Sequence, residues 1–289
     1  MMTAISLYRF GNKAYVKTVL LQLIFFAVVI VLSLIFFSPF LIMLTTAFKT
    51  NSDAFTLPVR LLPRQFVFDN FSKAVAVIPY WRYMRNTAFI TLFSVLGQVM
   101  VTPLVAYSLA KIKWKGAAII SGLLMTTMMI PFTVTMIPLY RIFSRLRWTN
   151  TYIPLILPMF FGKAFFIIIV RQFFAGIPNS LMEAARIDGA NEFQRYLNIA
   201  LPLSKPALTT IGIYTFIDAW SDYLAPLIYI SKPEKLTLSL GMQQFLSLYS
   251  VDWALLMAAA LIFVFPVIVF FMFFQRYFVE GISTSGLKV

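Results

Sequence analysis

The feature that constrains this chain most is a run of thirty residues without a charge, from Val19 to Phe48, which reads VLLQLIFFAVVIVLSLIFFSPFLIMLTTAF. A helix crosses the hydrocarbon core of a bilayer in about 20 residues, so this run is long enough to span it with some tilt. Cations precede the run, as in a signal peptide. However, the run is about twice as long as a signal core and no small-residue cleavage site ends it. We therefore predict a retained first transmembrane helix.

The composition extends this conclusion to the whole chain. Apolar residues make up 61% of the 289 residues and charged residues 12%, whereas about a quarter of the residues in soluble domains are charged. Histidine and cysteine are absent, which removes the usual general base, disulfides and the commonest metal ligands. The net charge of +14 lies mainly between apolar runs, which favours contact with anionic lipid headgroups over nucleic acid. We expect a membrane protein with no catalytic residues and no metal site.

Further apolar runs predict more transmembrane helices. The six predicted spans cover residues 19–48, 86–110, 116–140, 148–171, 207–230 and 253–275. Residues 1–18 then form an N-terminal segment, and residues 19–289 form one transmembrane domain. Every span contains a proline, which kinks membrane helices and is typical of the broken helices that line transport cavities. Lys and Arg are almost evenly divided between the two sides, so charge alone does not decide the orientation.

A long polar segment, residues 179–208, separates the fourth and fifth predicted spans and reads NSLMEAARIDGANEFQRYLNIALPLSKPAL. We predict a short helix that begins with a capping box between Ser180 and Glu183. A turn follows at Asp188 and Gly189, where Asp188 caps a second, amphipathic helix that ends at the next proline. From the residues alone, a helical surface loop and an interfacial amphipathic helix are both open alternatives.

The same segment resembles the EAA loop of the inner-membrane permease subunits of bacterial ABC importers. The family pattern is E-A-A, a glycine after three further residues, and I-x-L-P about nine residues later. The positions that match it here are Glu183, Ala184, Ala185, Gly189, Ile199, Leu201 and Pro202. The stretches LLPRQFVFDNFSKAV, FIDAWSDYLAPLIYI and QRYFVEGISTSGLKV resemble further parts of the carbohydrate-uptake branch that includes the maltose permeases. Two departures are Ser221, where asparagine is usual, and the last residues of the chain.

The resemblance implies a fold and a set of partners. The implied fold class is an all-α integral membrane protein with six transmembrane helices and the type I ABC importer permease fold. Its loop 173–206 would lie in the cytoplasm as a coupling helix, with both termini cytoplasmic in a bacterial inner membrane. The implied partners are a second permease subunit, an ATPase dimer that uses ATP and Mg²⁺, and an extracytoplasmic solute-binding protein. This chain lacks G-x-x-x-x-G-K-[ST], so we expect it to bind no cofactor and to hydrolyse no ATP itself.

Residue roles in the coupling loop follow from the same resemblance. The small side chains of Ala184 and Ala185 would allow close approach of the ATPase, and Gly189 would permit the sharp turn. The carboxylates of Glu183 and Asp188 would pair with ATPase cations or cap helices.

Three charges fall inside predicted spans, and an ionisable residue at that depth is a functional candidate. Lys163 lies eight residues before Arg171, about 12 Å along a helix at 1.5 Å per residue. Asp218 lies at a comparable depth in the fifth span, and Asp222 is four residues further on, on the same helix face. We therefore predict a contact, or a shared water cavity, between Lys163 and Asp218.

The function that these patterns favour is the permease subunit of an ATP-driven sugar importer. The residues predicted to line or gate the solute path are Asp218, Trp220, Asp222 and Tyr223; packing against the partner permease is the alternative. One competing function is a permease of the same fold for a non-sugar solute. Another is an ion-coupled secondary transporter, in which the two aspartates would be the coupling carboxylates. Excess cations in the external segments favour an acidic oligosaccharide or an acidic binding protein, although lipid headgroups explain them equally well.

Overall fold

The structure, a computed structural model, describes residues 13–56, 60–246 and 252–286. Helices account for most of these residues, and no β-sheet is found within them. In chain order the helices are α1 (Lys13–Ala47), α2 (Asn51–Ala54), α3 (Asp69–Val77), α4 (Tyr80–Lys111), α5 (Ala117–Met128), α6 (Phe132–Arg145), α7 (Ile153–Ile156), α8 (Ala164–Ala175), α9 (Asn179–Ile187), α10 (Glu192–Arg195), α11 (Leu201–Leu203), α12 (Lys205–Ser221), α13 (Leu224–Tyr229), α14 (Leu238–Gly241) and α15 (Trp253–Gly286). Short 3-10 helices cover Leu157–Phe161, Pro233–Lys235 and Met242–Phe245, and a π-helix covers Tyr196–Ala200.

Four helical segments in the described residues are long and apolar enough to cross a membrane. They are Val16–Ala47, Tyr80–Lys111, Ile153–Ala175 and Trp253–Gln275, and they coincide with four of the six predicted spans. The first has a mean hydropathy of 3.1 and exposes its apolar side chains along almost its whole length, as expected where lipid replaces water as the solvent. Helix α1 begins at Lys13, inside the predicted N-terminal segment 1–18; residues 1–12 of that segment lie outside the described residues.

The predicted third span is divided into two helices. Helices α5 and α6 are bent by 103° with respect to each other at a short break. The break ends at Pro131, which precedes α6 with an extended backbone (φ −61°, ψ 144°). Because proline has no N–H and disfavours helical geometry in the residue before it, a new helix begins there more readily than the old one continues. The kink expected at this proline is therefore large enough to reorient the chain.

The predicted fifth span is also broken. Helix α12 has 17 residues and ends at Ser221, and α13 resumes at Leu224 with 6 residues. At 1.5 Å per residue α12 is about 26 Å long, slightly less than the roughly 30 Å of a hydrocarbon core. In the described residues, four helical segments and the bent pair are long and apolar enough to span a membrane, and the count of six spans remains a prediction.

The chain forms two compact units, and the smaller comprises residues 1–72 and 252–261. In it, the segment after α1 is held by the buried side chain of Asn70, which donates to the carbonyls of Ala47 (2.9 Å) and Lys49 (2.8 Å). The carboxylate of Asp53 accepts from the Arg64 amide at 3.1 Å. Polar side chains thus satisfy the irregular backbone of the segment after α1.

The larger unit comprises residues 73–251 and 262–289, and α4 packs against α8 and α12 within it. One face of α4 carries a row of buried polar side chains at helical spacing, which comprises Asn86, Thr87, Thr91, Ser94, Gln98 and Thr102. The C-terminal end of α4 lies in an apolar cluster with α8 and the coupling loop, whose members include Tyr107, Phe174, Met182 and Tyr196. Helix α4 therefore connects the two groups of residues described next.

Candidate coupling and transport sites

The first limb of the coupling loop is α9. This helix begins at Asn179, directly after Pro178, and no side chain caps its first turn. Ser180 is thus its second residue, not its cap, and the predicted Ser180–Glu183 capping box is wrong. The reason is that Pro178, in a non-helical conformation (ψ 131°), directly precedes the first turn, so the helix begins two residues earlier than the box requires.

The predicted turn at Gly189 is confirmed, and it has the geometry of a Schellman motif. The Gly189 amide donates to the Arg186 carbonyl at 3.1 Å, and the Ala190 amide donates to the Ala185 carbonyl at 2.9 Å. Both bonds satisfy carbonyls at the end of α9. Gly189 has φ +85°, a left-handed conformation that residues with a Cβ adopt only under strain. Asp188 is the C-cap of α9.

The second limb begins at Asn191. Its side chain accepts from the Gln194 amide at 2.9 Å, and the Gln194 side chain accepts from the Asn191 amide at the same distance. This is a complete capping box, and it replaces the predicted capping by Asp188. The limb continues through α10, the π-helix and α11, so that Pro202 stands in the first turn of α11 and does not end the helix.

The predicted coupling residues fall into an exposed set and an inward-facing set. Glu183, Ala184, Asp188, Gly189 and Pro202 are exposed and Ala185 is half-buried, whereas Ile199 and Leu201 are partly buried against the apolar cluster. Apart from Pro202, which lies in α11, the exposed set lies on α9 and at the turn that follows it. At this turn Ile187 has 86% of its surface exposed, which sequence reasoning did not single out. An apolar side chain this exposed beside a Schellman turn is available for contact with another protein.

The coupling loop packs against α4 and α8 through residues that the sequence did not identify. Met182 is buried in the cluster, and the ring of Tyr196 lies 5.3 Å from that of Tyr107 (centroid to centroid). Burial raises the pKa of Tyr196 above its ordinary value. The only available sequence signal was the apolar spacing within the second limb, which does not identify the partner helix.

The second group of residues lies at two helix breaks. Gly162 has φ +75° and Lys163 is extended between the 3-10 segment and α8. The predicted contact is present, because the Lys163 ammonium donates to Oδ2 of Asp218 on α12. The side chains of Lys163 and Asp218 are 37% and 60% exposed in the isolated chain, so this ion pair is accessible and not sealed in the core.

The ion pair is connected to the polar row of α4. The Lys163 amide donates to the Gln98 side-chain carbonyl at 3.3 Å, and the Gln98 amide group donates to the Thr102 hydroxyl at 2.6 Å. Irregular backbone at the Lys163 break is thus satisfied by protein, which is the condition for a break at membrane depth.

The remaining predicted path residues differ in their environment. Asp222 is the first residue after α12, where the backbone becomes extended (ψ 121°), and its carboxylate accepts from the Ala225 amide at 3.2 Å. It therefore caps α13 and does not continue the helix face of Asp218. Tyr223 is half-buried beside it. The structure does not bring Trp220 to an accessible surface: its indole N–H donates to the Phe263 carbonyl at 3.1 Å and it is 4% exposed.

In the part of the chain that the structure describes, several long apolar helices are combined with the two polar helix breaks and the exposed coupling loop, an architecture typical of a membrane transport subunit. A family model makes this class specific. Residues 98–284 match the model of the binding-protein-dependent transport system inner membrane component, and the chain belongs to that family. This match contains the coupling loop, both helix breaks and most of α15.

Curated relatives match over most of the chain. The probable starch degradation products transport system permease protein AmyC of Thermoanaerobacterium thermosulfurigenes is 36% identical over 259 residues, which is 90% of this chain and 94% of the relative. The arabinooligosaccharides transport system permease protein AraQ of Bacillus subtilis (strain 168) is 31% identical over 260 residues, 89% of this chain and 92% of the relative.

A solved structure confirms the fold. A chain from a bacterial ABC transporter involved in the import of the acidic polysaccharide alginate superposes with a TM-score of 0.79, at 24% identity, over 93% of this chain and 99% of the other. At this identity the likeness concerns the fold alone. The predicted fold class, an all-α integral membrane protein with the type I ABC importer permease fold, is confirmed.

Proposed function

We propose that this chain forms half of the membrane pathway of an ATP-driven importer for a sugar or oligosaccharide. The observation that carries the proposal is the match, over about nine-tenths of the chain, to permeases named for starch degradation products and arabino-oligosaccharides. A second permease subunit would complete the pathway, and an extracytoplasmic binding protein would deliver the solute. The family is one of binding-protein-dependent transport systems, which supports the second of these partners.

The coupling loop is proposed to be the contact with a separate ATPase dimer. The end of α9 and the turn after it offer the small side chains of Ala184 and Ala185 and the apolar side chain of Ile187. These features suit insertion into a groove, since small residues allow close approach and an exposed isoleucine gains free energy when buried. ATP and Mg²⁺ would be bound by the partner alone, and this chain would hold no cofactor.

The proposed orientation follows from that contact. If the coupling loop meets an ATPase, then loop 173–206 faces the cytoplasm, and with six spans both termini face it as well. The protein would then be a multi-pass protein of the bacterial inner membrane. The external face would include the segment after α1 that Asn70 holds in place.

The solute path is proposed to pass the helix breaks. Asp218, Asp222 and Tyr223 stay in this assignment because each is exposed or half-buried in the isolated chain, and Lys163 joins them as the ion-pair partner of Asp218. Trp220 is withdrawn from it because the structure buries its side chain between α12 and α15. Ionisable and hydroxyl groups at broken helices suit a polyhydroxylated solute, since they offer donors and acceptors within an otherwise apolar bundle.

The experiment that tests this function reconstitutes the purified complex in proteoliposomes with its binding protein. Uptake of radiolabelled oligosaccharides should require internal ATP and should stop without it while a membrane potential is maintained. Uptake driven by the potential without ATP would contradict the proposal and favour ion coupling. Calorimetry of the binding protein with neutral and uronic-acid oligosaccharides then establishes the charge of the solute; binding of neither, with tight binding of a non-sugar solute, would contradict the sugar assignment.

A further inference from the structure

The C-terminal end of α4 contacts both limbs of the coupling loop. On the first limb, the ammonium of Lys111 donates to the Ile177 carbonyl at 2.7 Å and to the Asn179 side-chain oxygen at 3.0 Å. These two acceptors lie two residues before the first residue of α9 and at that first residue. Lys111 is the last residue of α4, so one side chain fixes the start of α9 to the end of that helix.

On the second limb, the contact is made by Tyr107. Its hydroxyl donates to Oε2 of Glu192, the first residue of α10, at 3.2 Å. The other carboxylate oxygen of Glu192 pairs with the guanidinium of Arg195. The Tyr107 ring packs edge-on against Phe174 and beside Tyr196. Tyr107 and Lys111 are four residues apart, so they lie on one face of α4 and hold one limb each.

The two attachments bracket the exposed turn. Between the start of α9 and the start of α10 lie the Schellman turn at Gly189 and the exposed Ile187. Each attachment is a hydrogen bond that involves a charged group, the strong kind in proteins. Without them the limbs would be joined to α4 mainly by apolar packing, which is not directional.

Helix α4 also reaches the helix breaks. It packs against α8 and α12, and its Gln98 accepts from the amide of Lys163. Gln98 lies nine residues before Tyr107 on the same helix, about 13 Å along the axis. A displacement of the coupling loop that is passed to α4 would therefore reach the residues around the Lys163–Asp218 pair through one continuous helix.

We propose that Tyr107 and Lys111 are positioning residues that make the coupling loop and α4 move as one unit. The inference rests on the proposed function, in which the coupling loop receives the movement of an ATPase. It adds that the movement enters the transmembrane bundle through the end of α4 by way of these two side chains. The alternative is that both contacts only contribute to local stability.

A distance measurement separates the two explanations. The chain has no cysteine, so nitroxide labels can be attached at Asn198→Cys on the second limb and Leu92→Cys on α4, both of which are exposed positions. In the assembled complex with its ATPase, pulsed electron resonance should give one narrow distance distribution. That distribution should keep its position when the ATPase is trapped with ATP and vanadate.

In the variants Tyr107→Phe and Lys111→Met, made separately and together, the distance between the two labels should no longer stay constant. We expect its distribution to broaden or shift when the ATPase is trapped. They should still co-purify with the ATPase and hydrolyse ATP, while uptake per ATP falls; Lys111→Arg, which keeps a donor, should restore the narrow distribution. Tyr83→Phe and Lys113→Met are matched controls and should behave as the wild type. Tyr83 is a buried tyrosine near the other end of α4, and Lys113 is an exposed lysine just beyond Lys111.

A wild-type distance that changes on trapping would overturn the proposal, and so would variants whose distributions stay as narrow as the wild type's. If the double variant does not assemble, Tyr107→Phe alone decides, since it keeps the ring and removes only the hydroxyl. A wild-type complex from which no ATPase co-purifies would instead overturn the proposed function, so the two failures are distinguishable.

Discussion

The coupling loop and the two helix breaks are both polar interruptions of an apolar chain, but they satisfy their polar groups in different ways. In the loop, the backbone is satisfied by capping motifs, while the side chains of Glu183 and Asp188 remain exposed. At the breaks, polar side chains bind one another or the freed backbone, as Lys163 does with Asp218 and Gln98. The loop keeps its side chains available to a partner, and the breaks use theirs within the bundle.

This difference separates a site for a protein partner from a site for a solute. A loop that keeps Glu183 and Asp188 exposed, and whose backbone is already hydrogen-bonded, can bind another protein with little reorganisation. At a helix break, the charged side chains are already paired with each other, so their arrangement changes only when a solute competes for those charges. We therefore expect substitutions in the loop to affect coupling and ATPase binding, and substitutions at the breaks to affect the passage of solute.

The largest effect is expected for Gly189→Val. A residue with a Cβ in the left-handed region is strained by about 1–2 kcal/mol, and a β-branched one lies at the upper end. A Cβ here would meet no atom within 4 Å, so the effect comes from the backbone alone. We expect ATP-driven uptake to fall about tenfold or more, at roughly 1.4 kcal/mol per factor of ten, with membrane insertion unchanged.

Gly122→Val is the matched control for that prediction. Gly122 also has open space around its Cβ position, but it lies within α5 without a left-handed φ. Its substitution should leave uptake close to the wild-type rate. Normal uptake by Gly189→Val, measured in the same proteoliposomes, would show that the turn is not needed for coupling.

The next largest effect is expected for Ile187→Ala. If this exposed side chain is buried against the ATPase, its truncation removes about 1.5 kcal/mol of binding free energy, and the affinity for the ATPase should fall about tenfold. Thermal stability of the permease should not change, because the side chain makes few contacts within the chain. Titration of the ATPase onto permease in nanodiscs measures this, and Leu61→Ala, which is 64% exposed on the segment after α1, is the control. Equal affinities for both variants would remove Ile187 from the interface.

A smaller effect is expected at the ion pair. Because both side chains are partly exposed, the pair contributes only about 1 kcal/mol to stability when water screens it. Asp218→Asn should therefore lower the melting temperature slightly by leaving Lys163 unpaired, and Lys163→Met with Asp218→Asn should restore it. If the pair also serves the solute path, the double variant should be as stable as the wild type but should take up solute more slowly. A loss of about 1 kcal/mol of interaction with the solute corresponds to about a fivefold lower uptake rate. Full uptake by the stable double variant would assign the pair to the bundle alone.

The smallest effect is expected for the caps of the loop. Asn191→Ala removes a capping box and should destabilise the second limb by about 0.5 kcal/mol, the low end for such changes. Ser180→Ala should have no measurable effect, because Ser180 caps nothing in α9. Hydrogen exchange of the loop amides compares the two variants. Faster exchange in Ser180→Ala than in Asn191→Ala would restore the capping assignment that the structure replaced.

The sequence was sufficient for features that depend on residue type and spacing. The uncharged run after Val19, the turn at Gly189 and the contact between Lys163 and Asp218 follow from hydropathy, from the conformational freedom of glycine and from depth along a helix. It was insufficient where proline or packing decides. Pro178 placed the start of α9 two residues before the predicted start, and the burial of Trp220 depends on α15, which no local pattern identifies.

The contacts of Tyr107 and Lys111 were invisible in the sequence for a similar reason. Both contacts join residues that are far apart in the sequence: Tyr107 and Glu192 are separated by 85 positions, and Lys111 and Ile177 by 66. Each residue alone is an ordinary tyrosine or lysine near the end of an apolar helix. Only the position of the coupling loop against α4 gives these residues a common role.

The central claim, that the exposed turn of the coupling loop is the contact with the ATPase, is tested most directly by cross-linking. A photoreactive label on Ala184→Cys, the only cysteine in this chain, should cross-link to the ATPase in the assembled complex, and ATP with vanadate should change the yield. The same label on Leu61→Cys should give no ATPase adduct. An Ala184→Cys label that reacts only with lipid or with the partner permease, in a complex that still contains its ATPase, would contradict the account.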